Sequence, residues 1–119
     1  EPYIEPDVVV YEHPSLGNIL TTQSGQVLYR FTIDNNGANP VYTGTSWPLV
    51  SASDAPVADS GVSSVLGSAT FSNVSGGPYL TVNGYPVYTF TSDTESGQAA
   101  GHSSGTVWYT IKADGSLNN

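Results

Sequence analysis

The chain has 119 residues, with ten acidic side chains against two basic ones (Arg30 and Lys112), two His, no Cys and no Met, and a formal charge of −8. Two cations cannot neutralise a run of phosphates, so nucleic acid is excluded as a partner. No apolar run approaches the ~20 residues that span a bilayer as a helix. Without Cys there is no disulfide, thiolate metal site or Cys nucleophile, and without Met there is little for oxidants to attack. That composition suits an extracellular place at the cell surface.

In chain order, the first segment is Glu1-Pro2-Tyr3-Ile4-Glu5-Pro6, which its prolines are expected to keep extended. Val8, Val9, Val10 and Tyr11 follow, and residues 8–12 read as a strand. Further strands are expected over residues 19–22, 26–33, 69–73, 79–82, 86–91 and 106–113. Helical periodicity is almost absent; residues 62–66 offer at most a turn or two. Within 26–33, Val27, Tyr29, Phe31 and Ile33 alternate with Gln26, Leu28, Arg30 and Thr32, which predicts one packed face and one wet face. Ser24-Gly25 and Asn83-Gly84 separate strands, and Asn-Gly is the stronger hairpin signal because both residues tolerate positive φ. Seven short strands and thirteen Gly predict an all-β fold, an antiparallel sandwich or barrel-like domain.

The strands repeat. Tyr29-Arg30-Phe31-Thr32-Ile33-Asp34 and Tyr88-Thr89-Phe90-Thr91-Ser92-Asp93 share Tyr-x-Phe-Thr-x-Asp, 59 residues apart. Leu20-Thr21 matches Leu80-Thr81, Gly25 matches Gly84, and Trp47 matches Trp108 in nearly the same register. The domain reading is therefore an N-terminal strand over residues 1–12, followed by one β-domain over 13–119 with repeats at about 17–75 and 76–119. Each half is expected to bury an aromatic-rich face against the other.

These residues resemble the lipoprotein family described as a secreted repeat of unknown function, whose hallmark is Tyr-x-aromatic-x-x-Asp. Leu80 to Asp93 carries that hallmark, and Gly105-Thr106-Val107-Trp108 with Asp114-Gly115 follows the family's closing motif. In the first half, Ser15 to Leu20 is similar to the entry strand, and Trp47-Pro48-Leu49 to its Trp-Pro-Pro segment. Many relatives hold a Cys pair before the Trp-Pro, where this chain has Tyr42 to Ser46, and many are anchored through an N-terminal Cys that this chain lacks. The resemblance implies secretion and a surface location. It implies no chemistry, so no catalytic residue follows from it.

Several motifs invite chemistry. Gly101-His102-Ser103-Ser104-Gly105 matches the nucleophile elbow, but no His lies downstream and a strand rather than a helix follows, so Ser103 reads as a loop residue. Asp34 and Asp93 invite a carboxylate-pair reading, against which stands a simple turn cap at each strand end. Asp34 and Asn36, with Asp93 and Glu95 in the second half, are the oxygen candidates for Ca²⁺, without the spacing of an EF-hand. His13 and His102 are a pair of imidazoles of unknown proximity. The two Trp and eight Tyr offer stacking surface for a glycan, although repeat-matched aromatics read first as core. Asn73-Val74-Ser75 is the N-glycosylation acceptor sequence.

The functional expectation is a non-catalytic secreted structural protein of the cell surface that needs no cofactor. It self-associates into a homopolymer, a filament or coat, by β-strand exchange. Tyr3, Ile4, Val8, Val9, Val10 and Tyr11 would be the exchanged residues, because they are too apolar to leave in water. The alternative is an extracellular binding module for Ca²⁺, a glycan or a surface partner.

Overall fold

Runs of Val, Ile, Leu and Thr broken by tight polar turns make hairpins, and two hairpins organise this chain. A computed structural model describes residues 6–42 and 44–119. No described residue is helical. β1 (Val8–His13) pairs antiparallel with β2 (Gly17–Thr22), with Val8 opposite Thr22 and His13 opposite Gly17. The turn between them is closed by His13 Nδ1, which accepts the backbone N–H groups of Ser15 and Leu16. The second half starts earlier than the boundary expected at 75/76: β4 (Leu66–Ala69) pairs with β5 (Tyr79–Val82), and β5 pairs with β6 (Tyr85–Pro86). Asn83 and Gly84 link β5 to β6 with φ of 51° and 86°, the doubly left-handed turn that Asn-Gly favours.

The halves are joined by β3 (Tyr29–Phe31) and β7 (Trp108–Thr110), which pair antiparallel with Tyr29 opposite Thr110. Three small antiparallel sheets result, and backbone bridges tie them into one body. At the centre Tyr29 and Tyr88 exchange both backbone hydrogen bonds, at 2.8 and 2.9 Å. Leu20 N–H donates to Ile111 O at 2.9 Å, and Leu80 N–H donates to Val50 O at 2.7 Å. Thr32 N–H donates to Val107 O, and Thr91 N–H to Ser46 O. Each relation recurs with the halves interchanged, so the fold has an approximate two-fold axis between Tyr29 and Tyr88. Residues 49–51 of the first half lie along β5 of the second, and residues 110–112 of the second lie along β2 of the first. The halves thus exchange their closing segments within one chain.

Two cores flank the central strands. One is aliphatic: Val8, Leu20, Leu28, Leu80, Val82, Val87 and Ile111. The other holds Ile19, Val27, Tyr29, Trp47, Tyr88 and Trp108. Consecutive residues therefore serve opposite cores, and Val27, Leu28 and Tyr29 are all fully buried. The expected wet face of residues 26–33 is absent at Leu28, and Ile33 on the expected packed face is 54% exposed.

Two further expectations shift. The strand expected over 69–73 lies earlier, at β4, because its register is set by β5, with Leu66 opposite Val82. Residues 71–74 instead form a turn in which Val74 N–H donates to Phe71 O. The helical turn expected over 62–66 is not formed. Ser63 and Ser64 donate to Ala113 O, and Val65 exchanges bonds with Asn83, so tertiary partners override weak local preference. Of the residues expected to be exchanged, Tyr3 and Ile4 lie outside the described residues. Val8 is fully buried, and Val8, Val9, Val10 and Tyr11 are paired in-chain with β2.

Candidate functional site: crossed tyrosine–aspartate pairs around an aromatic stack

Each half presents Tyr, Phe and Asp at the end of its central strand, and each of these side chains meets a partner from the other half. Tyr29 Oη donates to Asp93 Oδ2 at 2.5 Å, and Tyr88 Oη donates to Asp34 Oδ2 at 2.6 Å. The second carboxylate oxygen closes the loop that follows its own strand. Asp34 Oδ1 accepts Val41 N–H at 2.8 Å, and Asp93 Oδ1 accepts Ala100 N–H at 2.9 Å. Tyr29 Oη also accepts Gly101 N–H. Both Asp are buried, at 4% and 3% exposure. The turn-cap reading accounts for one oxygen of each carboxylate; the other crosses to the opposite repeat.

The rings follow the same rule. Phe31 stacks on Trp108 with centroids 4.4 Å apart, Phe90 stacks on Trp47 at 4.1 Å, and the two Trp stack face to face at 4.0 Å with planes 3° apart. Within each half, by contrast, Tyr29 meets Trp47 edge-on at 5.0 Å, and Tyr88 meets Trp108 in the same way. Four stacked rings between two buried Tyr–Asp pairs form the junction of the repeats. The Trp are 6% and 5% exposed, so they belong to the core.

Burial governs the electrostatics. It pushes both Tyr phenols far above their ordinary value near 10, and the adjacent carboxylate adds to the effect. Burial also raises Asp34, against the lowering influence of the Tyr88 and Val41 hydrogen bonds. The folded state therefore holds phenolic protons that the unfolded state releases above pH 10. The stability contributed by these groups is complete below pH 10 and lost as pH rises beyond it. Tyrosinate absorbance from Tyr29 and Tyr88 is expected only together with unfolding, so an alkaline titration at 295 nm should show a late step coincident with loss of the near-ultraviolet circular dichroism.

The other candidates each have partners of their own. Asn36 Nδ2 donates to Asn83 O at 2.7 Å, tying its turn to the opposite hairpin. Glu95 is exposed, and its backbone N–H donates to Gln98 Oε1. Among the described residues no three His, Asp or Glu side chains form a metal-binding group. His13 Nδ1 accepts backbone N–H bonds, and so does His102 Nδ1, from Thr110. Desolvation lowers the His102 pKa, and nearby His13 lowers it further. Ser103 is exposed at φ 63°, in a loop closed by successive turn bonds.

Gly101, the first glycine of that motif, has a packing role instead. A Cβ there would run into the Trp47 ring and lie 3.0 Å from Phe90. Gly101→Ala is expected to cost about 2 kcal/mol through overpacking against rigid rings, read as a lowered urea midpoint with an unchanged slope. Asn73 is exposed, with Nδ2 donating to Pro40 O at 2.7 Å. Missed from the sequence was the crossing itself. Its signal was present: a buried-type Tyr and a carboxylate repeated at one spacing in both halves.

The geometry defines a class: a two-fold β-module closed by reciprocal contacts between repeats. Residues 69–112 match the model of the family described as a secreted repeat of unknown function. The match covers the second repeat, from the end of β4 through Tyr88, Phe90, Asp93 and Trp108. No curated protein and no solved structure matches the chain.

Proposed function

We propose that the chain is a non-catalytic structural protein of an extracellular surface, a subunit of a filament or coat. One observation carries this reading: the side chains best able to do chemistry are bonded to one another across the repeat junction. Asp34, Asp93, Tyr29 and Tyr88 each have a buried partner, and they hold the module shut. Rings, phenols and carboxylates do here what disulfides do in other small secreted domains. The acidic, Cys-free and Met-free composition supports durability outside the cell.

Assembly in this proposal uses residues 1–5, which precede β1. The test is light scattering and negative-stain microscopy of the full chain beside a variant lacking residues 1–5. That deletion spares β1, whose Val8 belongs to the core. Polymers of the full chain that vanish on deletion are expected. A monodisperse full chain at high concentration would remove the filament reading.

A second reading, a glycan-binding module, is favoured by one groove. It has a volume of about 280 Å³ and is lined by Pro40, Tyr42, Pro48, Leu49 and Tyr79, beside Val74 of the glycosylation sequence. Oligosaccharide titration followed by tyrosine fluorescence checks it, with Tyr42→Ala expected to abolish any response.

A further inference from the structure

We propose that this chain has a second assembly mode: its two halves pair in trans with the halves of other copies, through the same junction that closes the monomer. The proposal goes beyond the structural reading above and does not depend on residues 1–5. Its partner is a second copy of this chain.

Three observations carry it. First, neither half satisfies itself. Tyr29 finds its carboxylate in the second half, Tyr88 finds its carboxylate in the first, and Phe31 and Phe90 stack on the opposite Trp. β2 and β5 each take the closing segment of the other half. A half alone would leave a phenol, a carboxylate and a sheet edge unpaired, so the halves must pair. Nothing in the junction itself specifies that both come from one chain.

Second, the connection between the halves is slender where it leaves the first one. Ala52 N–H still donates to Pro78 O, and Val57 is bonded to Asp7 and Val8. Between them Ser53, Asp54 and Ala55 are exposed, and Ser68 Oγ reaches Asp54 O only at a long 3.3 Å. Pro56 biases Ala55 toward an extended conformation, so straightening here breaks little.

Third, the junction is two-fold. Exchange of halves between two chains reproduces every contact and closes a dimer. Exchange in which each chain's second half serves the next chain leaves one unpaired half at each end and grows without limit. The intramolecular pairing has an effective concentration on the order of millimolar for a short flexible linker. Exchange is therefore expected where chains fold at comparable local density, as when secreted together onto a surface.

The absence of Cys gives a direct test. Ser51 and Tyr79 form an antiparallel bridge between the halves, and such pairs lie close enough for a disulfide. The full-length S51C/Y79C variant is unfolded in urea under reducing conditions. It is then refolded at about micromolar and about millimolar concentration and oxidised. On a non-reducing denaturing gel, the dilute sample should run as a monomer. The concentrated sample should give covalent dimers and a ladder above them, at least tenfold enriched over the dilute one, and deletion of residues 1–5 should leave the ladder intact. Monomer alone at both concentrations, with the thiols consumed, overturns the proposal. Should the thiols stay free, light scattering of the unmodified chain after the same refolding decides: dimers and larger species support it, and a single monomer peak rejects it. Filaments that need residues 1–5 but give no ladder would uphold the structural reading and reject this one.

Discussion

Tyr29→Phe and Asp93→Ala, made together, should cost distinctly less stability than the sum of the two single changes. Tyr29→Phe leaves Asp93 Oδ2 and Gly101 N–H without their partner, at a cost of about 2 kcal/mol. Asp93→Ala leaves the Tyr29 hydroxyl and Ala100 N–H unpaired, at a cost of about 3 kcal/mol. Once one member is gone, removing the other loses little more, so the double variant should fall near the worse single one. The expected coupling is about 2 kcal/mol, measured by urea unfolding of the four proteins. The decisive comparison pairs Tyr29→Phe with Asp34→Ala, the carboxylate of its own strand. Those two changes should add to within about 0.5 kcal/mol. Coupling within a half and additivity between halves would contradict the crossed arrangement.

Trp108→Ala should be the most damaging single substitution. The indole is the inner member of a four-ring stack, in contact with Phe31, Tyr42, Trp47 and Tyr88. Truncating a buried Trp costs about 3–5 kcal/mol, against total stabilities of about 5–15 kcal/mol for a domain. Thermal unfolding should therefore begin near ambient temperature. The milder Trp108→Phe separates packing from ring identity. The indoles of Trp47 and Trp108, stacked with centroids 4.0 Å apart, should give an exciton couplet in far-ultraviolet circular dichroism through the skew of their in-plane axes. Trp108→Phe should erase that couplet while the chain stays folded. A couplet that survives would place the indoles elsewhere.

The repeat was legible because its landmarks are side chains of unusual information content. Tyr-x-Phe-Thr-x-Asp occurs twice with Trp47 and Trp108 in step, and Asn83-Gly84 dictates its turn by φ alone. β4 was misplaced because Leu66-Gly67-Ser68-Ala69 carries no strand preference and becomes a strand through β5. Leu28 was assigned to a wet face because alternation reports that two faces differ, not that one of them meets water.

Composition and local pattern by themselves determined the all-β class, the duplicated motif and the acidic character. Those properties depend on residue type and short-range spacing, which a sequence states outright. Only the tertiary structure decided which Tyr meets which Asp, because Tyr29 has the same chemical interest in Asp34 as in Asp93. The choice follows from strand direction. Antiparallel pairing through Tyr29 and Tyr88 runs the two central strands past each other, and each Tyr hydroxyl bonds the opposite half's Asp. The same geometry turned the candidate ligands Asp34 and Asp93 into buried acceptors with both oxygens bonded.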